Sequence, residues 1–100
     1  MANEVVFRPL AFDDLDALDE FIARDSPERA AAFVGRIRQF CASLAEFPER
    51  GRLREDFGPD VRTLSFERRV VVAYKLQRGT VLVLRVFYAG QDYGPDSFGD

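Results

Sequence analysis

The spacing of apolar residues changes along this 100-residue chain, and the change limits the folds that the chain can adopt. Between about residues 13 and 44, apolar residues recur every three or four positions, as they do on one face of an α-helix. Beyond about residue 61, β-branched and aromatic residues dominate, which is typical of β-strands. A short apolar run, Val5 to Phe7, precedes the helical part. The sequence therefore predicts a strand, then helices, then strands, within a single α+β domain.

Two consecutive helices are predicted. The first strand should span residues 4 to 9, because Pro9 is tolerated at a strand end, and the first helix residues 13 to 24. Ser26 and Pro27 indicate a new helix start, with a serine cap and a proline at the first helical position. Phe47-Pro48 and Gly51 should stop this second helix. The apolar stripes are Leu15, Leu18, Phe21 and Ile22 on the first helix, and Ala30, Phe33, Val34, Ile37, Cys41 and Leu44 on the second.

Three further strands follow the helices. Alternation from Arg62 to Phe66 predicts a strand with one wet face, and residues 70 to 77 and 81 to 88 read as more apolar strands. Gly79 can supply the positive φ of the tight turn between the last two. The predicted fold is a helical hairpin packed on one face of a four-stranded, mainly antiparallel sheet, in the order βααβββ. Residues 1–93 would form this domain, and 94–100 a flexible tail.

The last two strands are apolar on both faces. By simple alternation, one face carries Val70, Val72, Tyr74, Leu76, Leu82, Leu84, Val86 and Tyr88, and the other carries Val71, Ala73, Val81, Val83 and Phe87. Two helices can cover only one face of a small sheet. The other face is either covered by a curled sheet and nearby loops or available to a partner segment, and we expect it to accept a helix or strand of a partner.

Composition excludes several kinds of chemistry. The chain has no histidine and one cysteine, Cys41, so neither a Ser-His-Asp nor a Cys-His catalytic group can form, and neither an internal disulfide nor a metal site is expected. No cofactor is predicted. No apolar run approaches the length of a membrane span, and the N-terminus lacks the features of a secretory signal. We expect no membrane contact and a cytoplasmic location.

Charge is segregated along the chain. Residues 1 to 30 carry eight acidic and three basic groups, whereas residues 36 to 85 carry eleven basic and six acidic groups. The net charge of -3 argues against broad affinity for nucleic acid, and direct sequence-specific nucleic-acid binding is not expected. A patch built from the basic middle segment could still face a phosphate or an acidic partner.

Several strings of residues, in their order and spacing, resemble the ParE branch of the RelE/ParE toxins of bacterial type II toxin-antitoxin systems. They are Phe7-Arg8-Pro9-Leu10-Ala11, Asp14-Leu15, Phe47-Pro48-Glu49-Arg50-Gly51, Val61-Arg62-Thr63-Leu64, Arg68-Arg69-Val70-Val71-Val72-Ala73-Tyr74, and Leu84-Arg85-Val86-Phe87-Tyr88-Ala89-Gly90-Gln91-Asp92-Tyr93. The resemblance covers residues 4 to 93.

The resemblance implies a toxin that is silenced by a ParD-like antitoxin, a ribbon-helix-helix protein whose C-terminal segment wraps the toxin. ParE-like toxins are not enzymes: they inhibit DNA gyrase by stabilising its cleaved complex with DNA. RelE-like relatives instead cut messenger RNA on the ribosome, and this is the alternative. A third hypothesis is a binding module that has lost toxicity.

Candidate site residues follow from the same resemblance. Those expected to bind the antitoxin or the target are Arg62, Arg68, Arg69, Tyr74, Arg85, Phe87, Tyr88 and Tyr93. No residue is catalytic in the gyrase interpretation. In the ribonuclease alternative, Arg62 and Arg85 would clamp phosphate and Tyr88 would transfer protons, although an unperturbed tyrosine is a poor base. Alternatively, the two arginines pair internally with Glu55, Glu67 or Asp92 and are structural.

Overall fold

The computed structural model describes residues 3–88 and 94–98 of the chain. The helices are α1 (Pro9–Ala23) and α2 (Pro27–Ser43), and the strands are β1 (Glu4–Phe7), β2 (Arg52–Leu53), β3 (Val61–Phe66), β4 (Val70–Gln77) and β5 (Thr80–Tyr88). Short 3-10 turns lie at Glu55–Phe57 and Pro95–Phe98. Neither helix of this described part has the length and apolarity needed to cross a membrane.

The strands form one mixed sheet in the order β1-β5-β4-β3-β2. β1 runs parallel to β5, and all other neighbouring pairs are antiparallel. The helices pack on one face of this sheet, which confirms the predicted α+β fold and its helical hairpin. The sheet has five strands rather than the predicted four, because β2 is only two residues long and leaves no periodic signal.

Pro9 begins a helix and does not end a strand, so the predicted boundaries at 9 and 13 are wrong. Arg8 is the extended N-cap residue, and Pro9 takes the first helical position, where its missing N–H costs nothing. At the next helix the sequence signal holds: the Ser26 hydroxyl accepts a hydrogen bond from the backbone N–H of Arg29 at 3.2 Å. α2 ends at Ser43, earlier than Phe47, because turn hydrogen bonds replace the helical ones from Leu44 onward.

The main core lies between the helices and the sheet. Fully or almost fully buried residues of this core are Ala11, Leu15, Leu18, Phe33, Ile37, Cys41, Leu44, Val70, Val72, Tyr74, Val81, Val83 and Val86. These confirm most of the two predicted apolar stripes. Phe21 is the exception, because this residue is 55% exposed although it continues the stripe of α1.

A β-bulge alters which side chains of β5 face the helices. Ala73 lies opposite Arg85 and Tyr74 opposite Val83, so Leu84 is an additional residue in β5. As a result Val81 and Val83 face the helices, whereas Leu84 joins a second cluster on the other side of the sheet. The simple alternation predicted for β5 is therefore wrong before the bulge.

The face of the sheet away from the helices, here the reverse face, is largely covered by the chain itself. The rings of Phe57 and Phe98, one from each 3-10 turn, stack at 5.0 Å, and Phe98 also meets Phe87 edge-on at 5.6 Å. Leu84 is 9% exposed and Phe87 2%. The expectation of a reverse face open to a partner is therefore wrong in its central part. Phe98 belongs to the segment predicted as a flexible tail, and this part of it is a docked turn.

Candidate functional site

The three residues proposed as catalytic for the ribonuclease alternative do not come together. Arg62 lies opposite Tyr74, and Arg85 lies opposite the adjacent Ala73, so the two arginines start from opposite faces of the sheet. Tyr88 lies opposite Val70, four residues along β4 from the partner of Arg62, a separation of about 13 Å along the strand.

Arg85 is held in an internal ion pair. Its Nε and Nη2 donate to the two carboxylate oxygens of Asp14 at 2.7 and 2.8 Å, and its Nη1 donates to the carbonyl oxygen of Ser97 at 2.6 Å. The side chains of Arg85 and Asp14 are 17% and 10% exposed. The hydrogen bond from the guanidinium to Asp14 raises the pKa of Arg85. The partner is thus Asp14 rather than Glu55 or Glu67, and Asp92 lies outside the described residues.

The same carboxylate of Asp14 also covers an edge of the sheet. Beyond Val83, no strand of the described part of the chain neighbours β5 on the β1 side, and the backbone N–H of Val86 donates to Oδ2 of Asp14 at 2.8 Å. Asp14 therefore joins α1 to the open stretch of β5 and, through Arg85, to the C-terminal turn.

Three other predicted site residues make contacts within the chain. Arg62 donates from Nη1 to the carbonyl oxygens of Gly51 at 2.9 Å and Glu49 at 3.3 Å. Tyr74 is fully buried, its hydroxyl oxygen accepts from the backbone N–H of Gly51 at 2.8 Å, and burial raises its pKa. Phe87 is covered as described above. Tyr93 lies outside the described residues.

Arg69 and Tyr88 do come together, in a groove that sequence reasoning did not identify. We define the α1–β5 groove by Phe21, Phe33, Arg36, Arg69 and Tyr88. A cavity of about 420 Å³ lies among these residues, and an adjoining one of about 250 Å³ continues between α1 and the open edge of β5. Phe21 and Tyr88 line both cavities, and their ring centroids are 6.0 Å apart.

The basic wall of the groove is a network around Glu67. Arg36 donates to both carboxylate oxygens of Glu67 at 2.8 and 3.0 Å, and Arg69 donates at 3.4 Å. The hydrogen bond from Arg36 lowers the pKa of Glu67. Both guanidiniums also lie over the ring of Phe33, at 5.3 and 4.6 Å. Two cations share one anion here, so the wall keeps a net positive charge.

Arg68 is exposed in the β3–β4 turn and does not line the groove. Its φ is 59°, and that of Glu67 is 50°, so two residues with side chains occupy the left-handed region. The bonds that Arg36 and Arg69 make to Glu67 hold this turn in place. No cluster of three or more metal-ligating side chains occurs among residues 3–88 and 94–98.

Comparison with known proteins identifies the family to which the chain belongs. A family model described as the ParE toxin of the type II toxin-antitoxin system parDE matches residues 5–93. The chain is 33% identical over 88 residues to Toxin RelE2 of Caulobacter vibrioides, covering 88% of this chain and 97% of that protein.

Solved structures agree. The chain is similar to a chain of the chromosomal ParDE toxin-antitoxin system from P. aeruginosa, with a TM-score of 0.73 and 26% identity over 87% of this chain and 96% of that one. A chain of the toxin-antitoxin complex RelBE2 from Mycobacterium tuberculosis shares the fold, with a TM-score of 0.66 and 22% identity over 88% of this chain and 99% of that one. The chain belongs to the ParE toxin family of type II toxin-antitoxin systems.

Proposed function

We propose that this toxin inhibits DNA gyrase by stabilising the cleaved gyrase–DNA complex, and that a ParD-like antitoxin neutralises it. The observation that carries the proposal is the match of the ParE model over residues 5–93. The chemistry is compatible, because a protein that acts by binding needs no acid, base or nucleophile.

The ribonuclease alternative has less support from the geometry. Attack by a 2′-hydroxyl needs a base, an acid and cations converging on one phosphate. Here Arg62 and Arg85 start from opposite faces, and Arg85 is already bound to Asp14. No histidine is present to replace Tyr88 as a base. The alternative is supported by the name of the Caulobacter vibrioides relative, Toxin RelE2.

The first experiment separates these two activities. Purified toxin is mixed with gyrase and supercoiled plasmid, and the DNA is analysed after protein digestion. We expect linear DNA that depends on both proteins. Tyr88→Phe should keep this activity, because the proposal assigns the Tyr88 hydroxyl no proton transfer. Cleaved messenger RNA with no linear plasmid, abolished by Tyr88→Phe, would support the ribonuclease alternative, and undisturbed growth on expression would leave only the inactive-module hypothesis.

We further propose that the antitoxin docks in the α1–β5 groove through an acidic, amphipathic C-terminal segment. The groove offers aromatic surface at Phe21 and Tyr88 beside the cations Arg29, Arg36 and Arg69. Apolar side chains on one face of such a segment would bury against the rings, and its carboxylates would meet the arginines.

A matched pair of alanine variants tests this docking site. Phe21 and Phe47 are both exposed phenylalanines, at 55% and 62%, but only Phe21 lines the groove. Phe21→Ala should weaken antitoxin binding about thirtyfold, as expected for an aromatic residue central to an interface. Phe47→Ala should leave the affinity unchanged. Titration calorimetry with the antitoxin measures both, and equal effects would place the antitoxin elsewhere.

A further inference from the structure

β1 is an edge strand, and among residues 3–88 and 94–98 no strand pairs with the backbone groups on its outer side. The backbone N–H groups of Glu4 and Arg8 donate to Gly79 and Val83, so alternate residues of the strand face β5. The residues between them, Val5 and Phe7, direct their N–H and C=O groups outward. Asn3 donates to the carbonyl of Ala45 at 2.9 Å, so the open edge begins at Val5.

Apolar side chains border this edge. Val6 is 38% exposed, and Leu10 and Phe12, in the first turn of α1, are 37% and 43% exposed. The Phe12 ring lies 5.4 Å from the ring of Phe7, which places it directly beside the strand. An open strand edge with exposed apolar neighbours favours the addition of another strand.

The charges at the two ends of the edge are complementary to each other. Glu4 and Arg8 lie two residues either side of Val6 and share its face of the strand. Neither side chain has an ion-pair partner among residues 3–88 and 94–98. Antiparallel pairing of two such strands centred on Val6 sets Glu4 of each copy opposite Arg8 of the other. The same register sets Val5 opposite Phe7, which allows these residues to exchange four backbone hydrogen bonds.

Other registers lose one of these matches. A shift of one residue turns the wrong backbone groups toward the partner, and a centre at Val5 leaves Glu4 opposite Val6.

We propose that two copies of this chain associate through their β1 edges, about a twofold axis at Val6 perpendicular to the sheet. Two five-stranded sheets then form one continuous sheet, with both helical hairpins on the same side and the two α1 helices adjacent. Leu10 and Phe12 would become covered. This inference does not depend on the target of the toxin.

A cysteine at the twofold axis tests the register. Val6 would face Val6 of the second copy as a non-hydrogen-bonded pair, with Cα atoms about 4.5 Å apart, which lies in the range for a disulfide. Val6→Cys should therefore form a covalent dimer on mild oxidation. Leu76→Cys is the control, since Leu76 is 37% exposed on another strand, and Cys41 is fully buried and does not compete. Equal cross-linking of the two variants would overturn the proposal.

Charge exchange tests the same pairing without a covalent bond. In sedimentation equilibrium, Glu4→Arg or Arg8→Glu should each weaken self-association about tenfold, because each creates two like-charge pairs. The double variant should restore it, and the circular dichroism of all three should match that of the parent chain. A monomer at every concentration, or a double variant no better than the single ones, would contradict the proposal. If the backbone N–H groups of the β1 edge become protected from hydrogen exchange only when antitoxin is added, the edge binds the antitoxin instead. That result would also overturn the proposed dimer.

Discussion

Gly51 shows how one residue can link several parts of the fold. A Cβ at this position would lie 2.6 Å from the Tyr74 hydroxyl oxygen and 3.0 Å from the Thr63 carbonyl oxygen. The missing side chain lets its backbone N–H reach Tyr74 and its carbonyl reach Arg62. The sequence marked Gly51 as a helix stop and Tyr74 as a binding residue, and neither interpretation could reveal that the two are in contact.

Gly51→Ala should therefore destabilise the protein. We expect a loss of about 1–3 kcal/mol in the free energy of unfolding, because the buried tyrosine or the strand must move. Gly35→Ala is the control: a Cβ there meets nothing within 4 Å, and within α2 alanine should stabilise by about 0.5–1 kcal/mol. Urea unfolding measures both. In a Tyr74→Phe background the cost of Gly51→Ala should shrink, and an unchanged cost would show that the hydroxyl contact is not its cause.

At the scale of elements, sequence patterns predicted what is local. α2 was recognisable from its cap and stripe, and the β3–β4–β5 meander from its alternation and the turn at Gly79, whose φ is 76°. The start of α1 was not, because Pro9 is equally suited to a strand end and to a first helical position. The parallel pairing of β1 with β5, the two-residue β2 and the bulge at Leu84 depend on contacts distant in sequence, for which no periodic signal exists.

The link between α1 and β5 should be a major source of stability. Asp14→Ala leaves the Arg85 guanidinium and the Val86 N–H without their Asp14 acceptor in a poorly exposed site. We therefore expect the free energy of unfolding to fall by about 2–4 kcal/mol. Asp56→Ala removes the exposed pair with Arg54 and should change stability little. Chemical denaturation compares the two. If Asp14→Ala were as mild as Asp56→Ala, the ion pair would not connect these elements.

At the scale of the whole molecule, the prediction of site residues was limited by burial. The sequence selected arginines and aromatic residues on strands, but the fold uses Tyr74, Phe87 and Arg85 internally. Of the predicted site residues that the structure describes, only Arg69 and Tyr88 line the α1–β5 groove, beside Phe21 and Arg36 from the two helices. Because Phe21 continues the apolar stripe of α1, its sequence position predicted that it would be buried in the core. Only the position of α1 relative to the end of β5 leaves it exposed.

The chain has no histidine, and this leads to a prediction about how the stability of the whole molecule depends on pH. Burial raises the pKa of the Cys41 thiol from 9.0 to about 12, and burial also raises the pKa of Tyr74 above 10.0. The folded state binds the proton of each group more tightly than the unfolded state does. The stability that each group contributes is therefore fully present below its pKa in the unfolded state and is lost as the pH rises toward its pKa in the folded state. Stability should stay constant through neutral pH and then fall. Ionisation of Cys41 alone should lower the free energy of unfolding by about 1.4 kcal/mol per pH unit above pH 9.0.

Cys41→Ala separates this effect from general alkaline unfolding. The variant should be less stable than the parent at pH 7.5, since it leaves a small cavity in the core, but it has no thiol to ionise. In urea titrations under reducing conditions, the difference between the two proteins should therefore narrow by about 2 kcal/mol between pH 7.5 and 10.5. A difference independent of pH would mean that the folded protein lets the thiol ionise freely. The helical hairpin would then not exclude water from the core as tightly as the full burial of Cys41 implies.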